Sequence, residues 1–335
     1  MKRERIGVWL AYAGMCLIWG TTWLAIKVGL KALPPLTGVG LRFLIAGVVL
    51  YGVAALVREV RPPRELPWKV ILVFSTLLFG LNYVLVYFAE TRLDSGLVAV
   101  LFGTMPFFTF IFAYAIIGER MTPRIWLGSL AAFAGVAVIS LAGAVKGAPL
   151  FVLAVVVGAA SAAYTNVFAK RHAHHPPLVT LPPAMTITGL SVLALGLALE
   201  KTDWAHALRG SSLIALLYLA ILGSSVAFFL MLWVLKRLPA SVVSLSTLIF
   251  PIIAIAVGAL IGGERITPRE LAGSALVVAG LWIALSRKEA RVEERASAPP
   301  YVEKDPKDTA LHDPPGRPSD ALYVRPELSC GIEDA

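Results

Sequence analysis

The chain has 335 residues, 58% hydrophobic and only 15% charged, with a mean hydropathy of +0.77. A soluble domain carries roughly 25% charged residues, whereas the apolar excess here falls in blocks of about 20, the length at which a helix crosses a ~30 Å hydrocarbon layer. A soluble globular domain is therefore excluded. The net charge of +9 sits in short clusters at block ends, which reads as topology-setting charge rather than a nucleic-acid surface.

The first block runs from Gly7 to Lys27 behind the basic start Met1-Lys2-Arg3-Glu4-Arg5. It is too long for a signal-peptide core and no Ala-x-Ala site closes it, so it reads as the first span. Cys16 within it reads as a small buried hydrophobe, and with Cys330 near the C-terminus it makes no disulfide framework. Nine further spans are expected over residues 35–57, 67–89, 93–117, 123–144, 149–169, 179–199, 211–235, 239–261 and 268–285. Proline opens many of them, at a first turn that has no use for an N–H donor. From about Arg287 the chain turns to Pro, Glu, Asp, Arg and Ser, so residues 288–335 are expected to form a disordered cytoplasmic tail. Roughly 16 Lys and Arg fall on the side of the N-terminus and about 8 on the other, which with an even number of spans makes both termini cytoplasmic.

A duplication runs through the blocks. Gly118-Glu119-Arg120-Met121-Thr122-Pro123-Arg124 returns as Gly263-Glu264-Arg265-Ile266-Thr267-Pro268-Arg269, an offset of 264 − 119 = 145. The same offset matches Gly128-Ser129 with Gly273-Ser274, Gly135 with Gly280, Pro106 with Pro251, and Arg92-Leu93 with Arg237-Leu238. Lys27 meets Lys170 at a slightly smaller offset, 170 − 27 = 143. Residues 1–145 and 146–287 therefore read as two five-span repeats. Five is odd, so the second copy must be inserted upside down, an arrangement common in secondary transporters.

Trp19-Gly20-Thr21-Thr22-Trp23-Leu24-Ala25-Ile26-Lys27 resembles the first-helix signature of the drug/metabolite transporter superfamily, EamA family. Arg42-Phe43 and the two Gly-Glu-Arg loops, each followed by Thr-Pro, are similar to the same family. The resemblance covers about residues 7–286. It implies a ten-helix transporter, often an exporter of amino acids or other small metabolites, with a central cavity lined by helices one, three, four, six, eight and nine.

Polar groups at membrane depth are costly unless paired or hydrated, and so mark a candidate cavity. Span one offers Trp19, Thr21, Thr22 and Trp23; span three offers Asn82, Tyr83 and Tyr87. Span six offers Tyr164, Thr165 and Asn166, and span nine Ser241, Ser244, Ser246 and Thr247. The substrate-binding candidates are Trp19, Thr22, Trp23, Asn82, Tyr83, Tyr87, Tyr164, Asn166, Ser244 and Thr247. For Ser and Thr, a bond to a carbonyl of their own helix is the competing reading. Arg42 reads as a structural anchor that snorkels to the interface, with an anionic substrate group as the alternative partner.

Pro106 and Pro251, at equivalent positions, are expected to kink spans four and nine, either as gating hinges or to shape the cavity. Glu119 and Glu264 lie in loops, where they either join a gate with Arg120, Arg124, Arg265 or Arg269 or cap the next helix. Gly128, Gly135, Gly273 and Gly280 form small-residue packing faces. His172, His174 and His175 lack acidic or Cys partners and read as a solvated loop. No metal, cofactor or catalytic set is expected, and so no enzyme.

Glu90, near the end of span three, is the deepest carboxylate. Small multidrug antiporters of the same superfamily carry a carboxylate in helix one, and Trp19 to Lys27 holds none. Cationic drugs are therefore not the expected main substrate, and facilitated diffusion or exchange is expected over proton coupling. The function expected is export of small metabolites such as amino acids by alternating access, by a monomer in the cell membrane with no nucleic-acid partner. A lipid scramblase or flippase, or a multidrug efflux protein, is the alternative.

Overall fold

The computed structural model describes residues 2–93, 95–140, 149–207, 209–253, 256 and 268–285. Among the described residues every regular element is helical. The membrane-facing helices are α1 (Lys2–Gly29), α2 (Pro35–Leu56), α3 (Trp68–Glu90), α4 in two pieces (Ser95–Phe102 and Met105–Ile117) and α5 (Pro123–Ser140). The second set is α6 (Pro149–Arg171), α7 (Pro177–Leu199), α8 (Gly210–Leu235), α9 (Ala240–Ile253) and α10 (Pro268–Leu285). By length and composition α1, α2, α3, α6, α7 and α8 are each able to cross a bilayer, and the others are shorter apolar helices. Leu10, Leu24, Leu56 and Ile214 turn more than 60% of their surface outward, as side chains facing lipid do.

Several boundaries move. The first helix begins at Lys2 rather than Gly7, and the seventh at Pro177, where proline occupies the first turn. The fourth is broken at Gly103-Thr104 instead of running through. The expected ends of spans five and nine, and the tail, lie outside the described residues.

The inversion is visible in how equivalent helices pair. A Cβ on Gly40 of α2 would stand 2.5 Å from the Leu193 nitrogen of α7, and one on Gly196 would stand 2.8 Å from that of Thr37. Rising numbers in α2 meet falling numbers in α7, so the two second helices run antiparallel. The two fifth helices do the same. A Cβ on Gly128 would lie 2.5 Å from the Ala284 nitrogen, and one on Gly135 2.7 Å from that of Val277. These glycines let the backbones touch, which in lipid is a principal source of helix association. Two copies that meet antiparallel through their own equivalents are related by an axis in the membrane plane.

A lysine bond repeats under the same symmetry. Lys27 Nζ donates to Leu93 O at 3.5 Å, and on the opposite face Lys170 Nζ donates to Leu238 O at 2.9 Å. Both third helices also carry a π-helical stretch, Phe74–Asn82 in α3 and Ile221–Val226 in α8.

Candidate functional site

A cavity with about 660 Å³ of empty space, open solvent included, lies between the repeats. Its wall is drawn from α1, α3, α4, α6, α8 and α9, the six helices expected around it. From α1 come Trp19, Thr22, Trp23 and Ile26, one helical face at three- and four-residue spacing. From α3 come Leu78, Asn82, Tyr83 and Val86, and from α6 Ala162 and Asn166. Phe102 and Met105 of α4, Phe228 of α8, and Val243, Ser246, Thr247 and Phe250 of α9 complete it.

Among the described residues no lining side chain carries a formal charge. The wall is mainly aromatic, with Trp19 edge-on to Phe228 at 5.1 Å and to Phe250 at 6.2 Å. Set into it are three buried polar atoms without a hydrogen-bond partner: Trp23 Nε1, Asn82 Oδ1 and Asn166 Oδ1. One donor and two acceptors are thus left at membrane depth, where an unsatisfied group is expensive.

Of the ten substrate-binding candidates, the structure brings Trp19, Thr22, Trp23, Asn82, Tyr83, Asn166 and Thr247 to the wall. Trp19 Nε1 is already engaged, donating to Gly223 O at 3.1 Å, and Thr22 and Thr247 bond their own helices. Three candidates do not line the cavity. Tyr87 is packed behind it, where its hydroxyl accepts from Arg42 Nη1 at 3.3 Å. Tyr164 packs on Phe112 and Phe168. Ser244 Oγ donates to Ser241 O at 2.7 Å. Thr21 also turns away, bonded to the Tyr218 hydroxyl. The apolar wall was not singled out in the sequence, although Ile26, Leu78 and Val86 each stand four residues from a polar candidate.

Arg42 does not snorkel; it is 1% exposed. Nε donates to Ser224 Oγ at 2.8 Å and Nη2 to Gly223 O at 3.2 Å, both in the π-helical stretch of α8. The guanidinium also lies 4.6 Å from the centre of the Tyr83 ring, whose residue lines the cavity. Arg42 therefore buttresses the wall from one layer behind.

The proline pair coincides with two matched helix breaks. Proline has no N–H, so Phe102 O and Thr247 O lose their usual donors at Pro106 and Pro251. The neighbouring donors shift in step: Thr104 N bonds Leu101 O and Phe107 N bonds Thr104 O, while Ile249 N bonds Ser246 O and Ile252 N bonds Ile249 O. A 3₁₀ turn, Leu245–Leu248, marks the break in α9.

Glu119 does not cap the next helix. Its carboxylate crosses to the other repeat and caps α9, accepting from Ala240 N and Ser241 N at 3.2 Å each and from the Ser241 hydroxyl. Glu264 lies outside the described residues. Glu200 makes a comparable bond on the opposite face, accepting from Leu36 N and Thr37 N of α2 at 2.8 Å. His172 and His175, with Lys236, border a second, smaller space of about 280 Å³. Burial, the other two histidines and Lys236 hold His175 below the usual histidine range.

A family model described as the EamA-like transporter family matches residues 5–141 and again 149–286. Among relatives, the uncharacterized inner membrane transporter YedA of Escherichia coli K12 is 26% identical over 294 residues, covering 85% of this chain and 93% of its own. The probable amino-acid metabolite efflux pump of Salmonella typhimurium LT2 is 29% identical over 282 residues, covering 80% and 91%. The uncharacterized transporter YoaV of Bacillus subtilis 168 is 27% identical, covering 83% and 96%. A solved crystal structure shares the fold, with a TM-score of 0.72 over 83% of this chain and 96% of that one at 24% identity.

Proposed function

Because this chain belongs to the EamA-like transporter family, whose model matches both repeats, we propose that it exports small metabolites such as amino acids by alternating access through the central cavity. That it is a multi-pass membrane transporter follows from the family and the apolar helices together. The observation that carries the finer reading is the wall itself. It joins equivalent helices of both repeats, is aromatic and uncharged, and holds the unpartnered polar atoms of Trp23, Asn82 and Asn166. A small neutral or zwitterionic molecule supplies the missing partners without stranding a net charge.

The resemblance to a probable amino-acid efflux pump supports the substrate class, and that to an inner membrane transporter supports a cell-membrane location. The Lys and Arg bias supports cytoplasmic termini, which makes the Lys170 face cytoplasmic. Glu119 and the two proline breaks are the gating elements. Glu119 ties the start of α9 to the first repeat on that face, and the breaks let the far halves of α4 and α9 swing.

Counterflow in proteoliposomes with labelled amino acids tests this. Saturable exchange is expected, falling at least tenfold in Asn82→Ala and Asn166→Ala. Exchange unaffected by both substitutions would place the site elsewhere.

A further inference from the structure

Glu90 lies at the end of α3, one turn beyond the cavity-lining Val86 and outside the lining itself. Asn82, Val86 and Glu90 stand four apart, and the first two line the cavity. Glu90 is 2% exposed, and neither carboxyl oxygen accepts a hydrogen bond. An ionised carboxylate in hydrocarbon without hydrogen bonds is a steeply unfavourable arrangement, whereas a neutral carboxylic acid tolerates it.

The charged groups acting on it come from two helices, Lys27 of α1 and Arg42 of α2. Neither bonds it. Arg42 directs its donors to Ser224, Gly223 and Tyr87, and Lys27 Nζ donates to Leu93 O. Tyr87 is the nearby titratable group on α3 itself. Glu90's helix neighbours Val86 and Ala89, with Leu93, pack in one apolar cluster with Val98 and Ala99 of α4 and Phe151 and Val155 of α6. The residues that follow, Thr91 and Arg92, are exposed, so a small movement of this end of α3 admits water to the carboxyl group.

The second repeat has no counterpart. Lys170 occupies the place of Lys27, but the position 145 residues after Glu90 is Leu235, whose backbone oxygen accepts from Lys170 Nζ at 2.6 Å. The end of α8 that matches the Glu90 end of α3 therefore holds no carboxyl group.

Resting on the transport reading above, we infer that Glu90 is a proton-carrying site that couples transport to the proton gradient. It is neutral in the packed conformation described here. It takes a proton from water when the Lys27 face opens and releases that proton through the cavity when the opposite face opens. Only the carboxyl O–H bond forms and breaks. This replaces the expectation of uncoupled exchange, which rested on the absence of a carboxylate near the middle of any span.

Two measurements on the full chain in proteoliposomes test it. The lipid-soluble reagent dicyclohexylcarbodiimide attacks protonated carboxyl groups in apolar surroundings, and its adducts are located by peptide mass. An adduct at Glu90 that declines as pH is raised from 5 to 9 is expected; no adduct there at any pH would overturn the proposal. Labelled amino acids then report transport. An imposed pH gradient is expected to drive several-fold accumulation by the unsubstituted chain, and Glu90→Gln to abolish that accumulation while counterflow continues. Accumulation that survives in Glu90→Gln, or loss of counterflow in a variant that still elutes as folded protein, would overturn it. If no amino acid exchanges in any variant, the substrate reading fails, and the carbodiimide result still decides the role of Glu90.

Discussion

Arg42 carries a full charge at 1% exposure and meets it with a serine hydroxyl, a backbone carbonyl, a tyrosine hydroxyl and the face of Tyr83. The π-helical stretch of α8 makes this possible, because Gly223 O there accepts from both Arg42 and Trp19. Arg42→Ala is expected to lower the unfolding midpoint in detergent, by the equivalent of about 3 kcal/mol for lost charge-assisted bonds. Arg42→Lys is expected to recover little, because an ammonium group lacks the planar fork that reaches these acceptors together. An unchanged melting curve in both would contradict the buttress. Sequence shows that Arg42 lies within a span, but not which way it turns, and so the snorkelling expectation failed. The same limit misplaced Tyr87. Spacing places Tyr87 one turn beyond the cavity-lining Tyr83, but only the position of Arg42 on the neighbouring helix shows that its hydroxyl is taken up there instead of in the cavity.

At the scale of elements, glycine decides how closely the repeats approach. A Cβ on Gly135 would lie 2.6 Å from Gly273 O and 2.7 Å from the Val277 nitrogen, so α5 and α10 would have to part. Gly135→Leu is expected to destabilise the detergent-solubilised protein by about 2 kcal/mol or more, the scale of overpacking a tight contact. Gly52→Ala, on α2 with nothing within 4 Å, is expected to be neutral or to stabilise by up to about 1 kcal/mol. Equal effects of the two would contradict the packing account. These faces were legible as glycines seven apart in both repeats, as were the helix order and the inversion. The breaks in α4 and α9 were only half legible. Pro106 and Pro251 show where a donor is missing, but the shift to shorter bonds begins two residues earlier, at Thr104 and Ile249.

The whole molecule is two copies of one unit whose equivalent helices meet antiparallel and enclose a cavity between them. The copies differ where it matters for transport. Trp19 and Trp23 of α1 correspond to Ala162 and Asn166 of α6, and Glu90 corresponds to Leu235, so the chamber between two similar halves is itself asymmetric. The sequence made the six lining helices legible through the family resemblance, and seven of the ten candidates reached the wall. The aromatic surroundings were missed because apolar residues are unremarkable in any span. Alternating access requires this one cavity to open to each side in turn. Its most direct test is Ser246→Cys in a chain whose own cysteines are replaced, Cys16→Ala and Cys330→Ala, treated with a membrane-impermeant thiol reagent from each side of oriented vesicles. Modification from either side is expected, slowed in both cases by a transported amino acid. Modification from one side only, indifferent to any substrate, would contradict it.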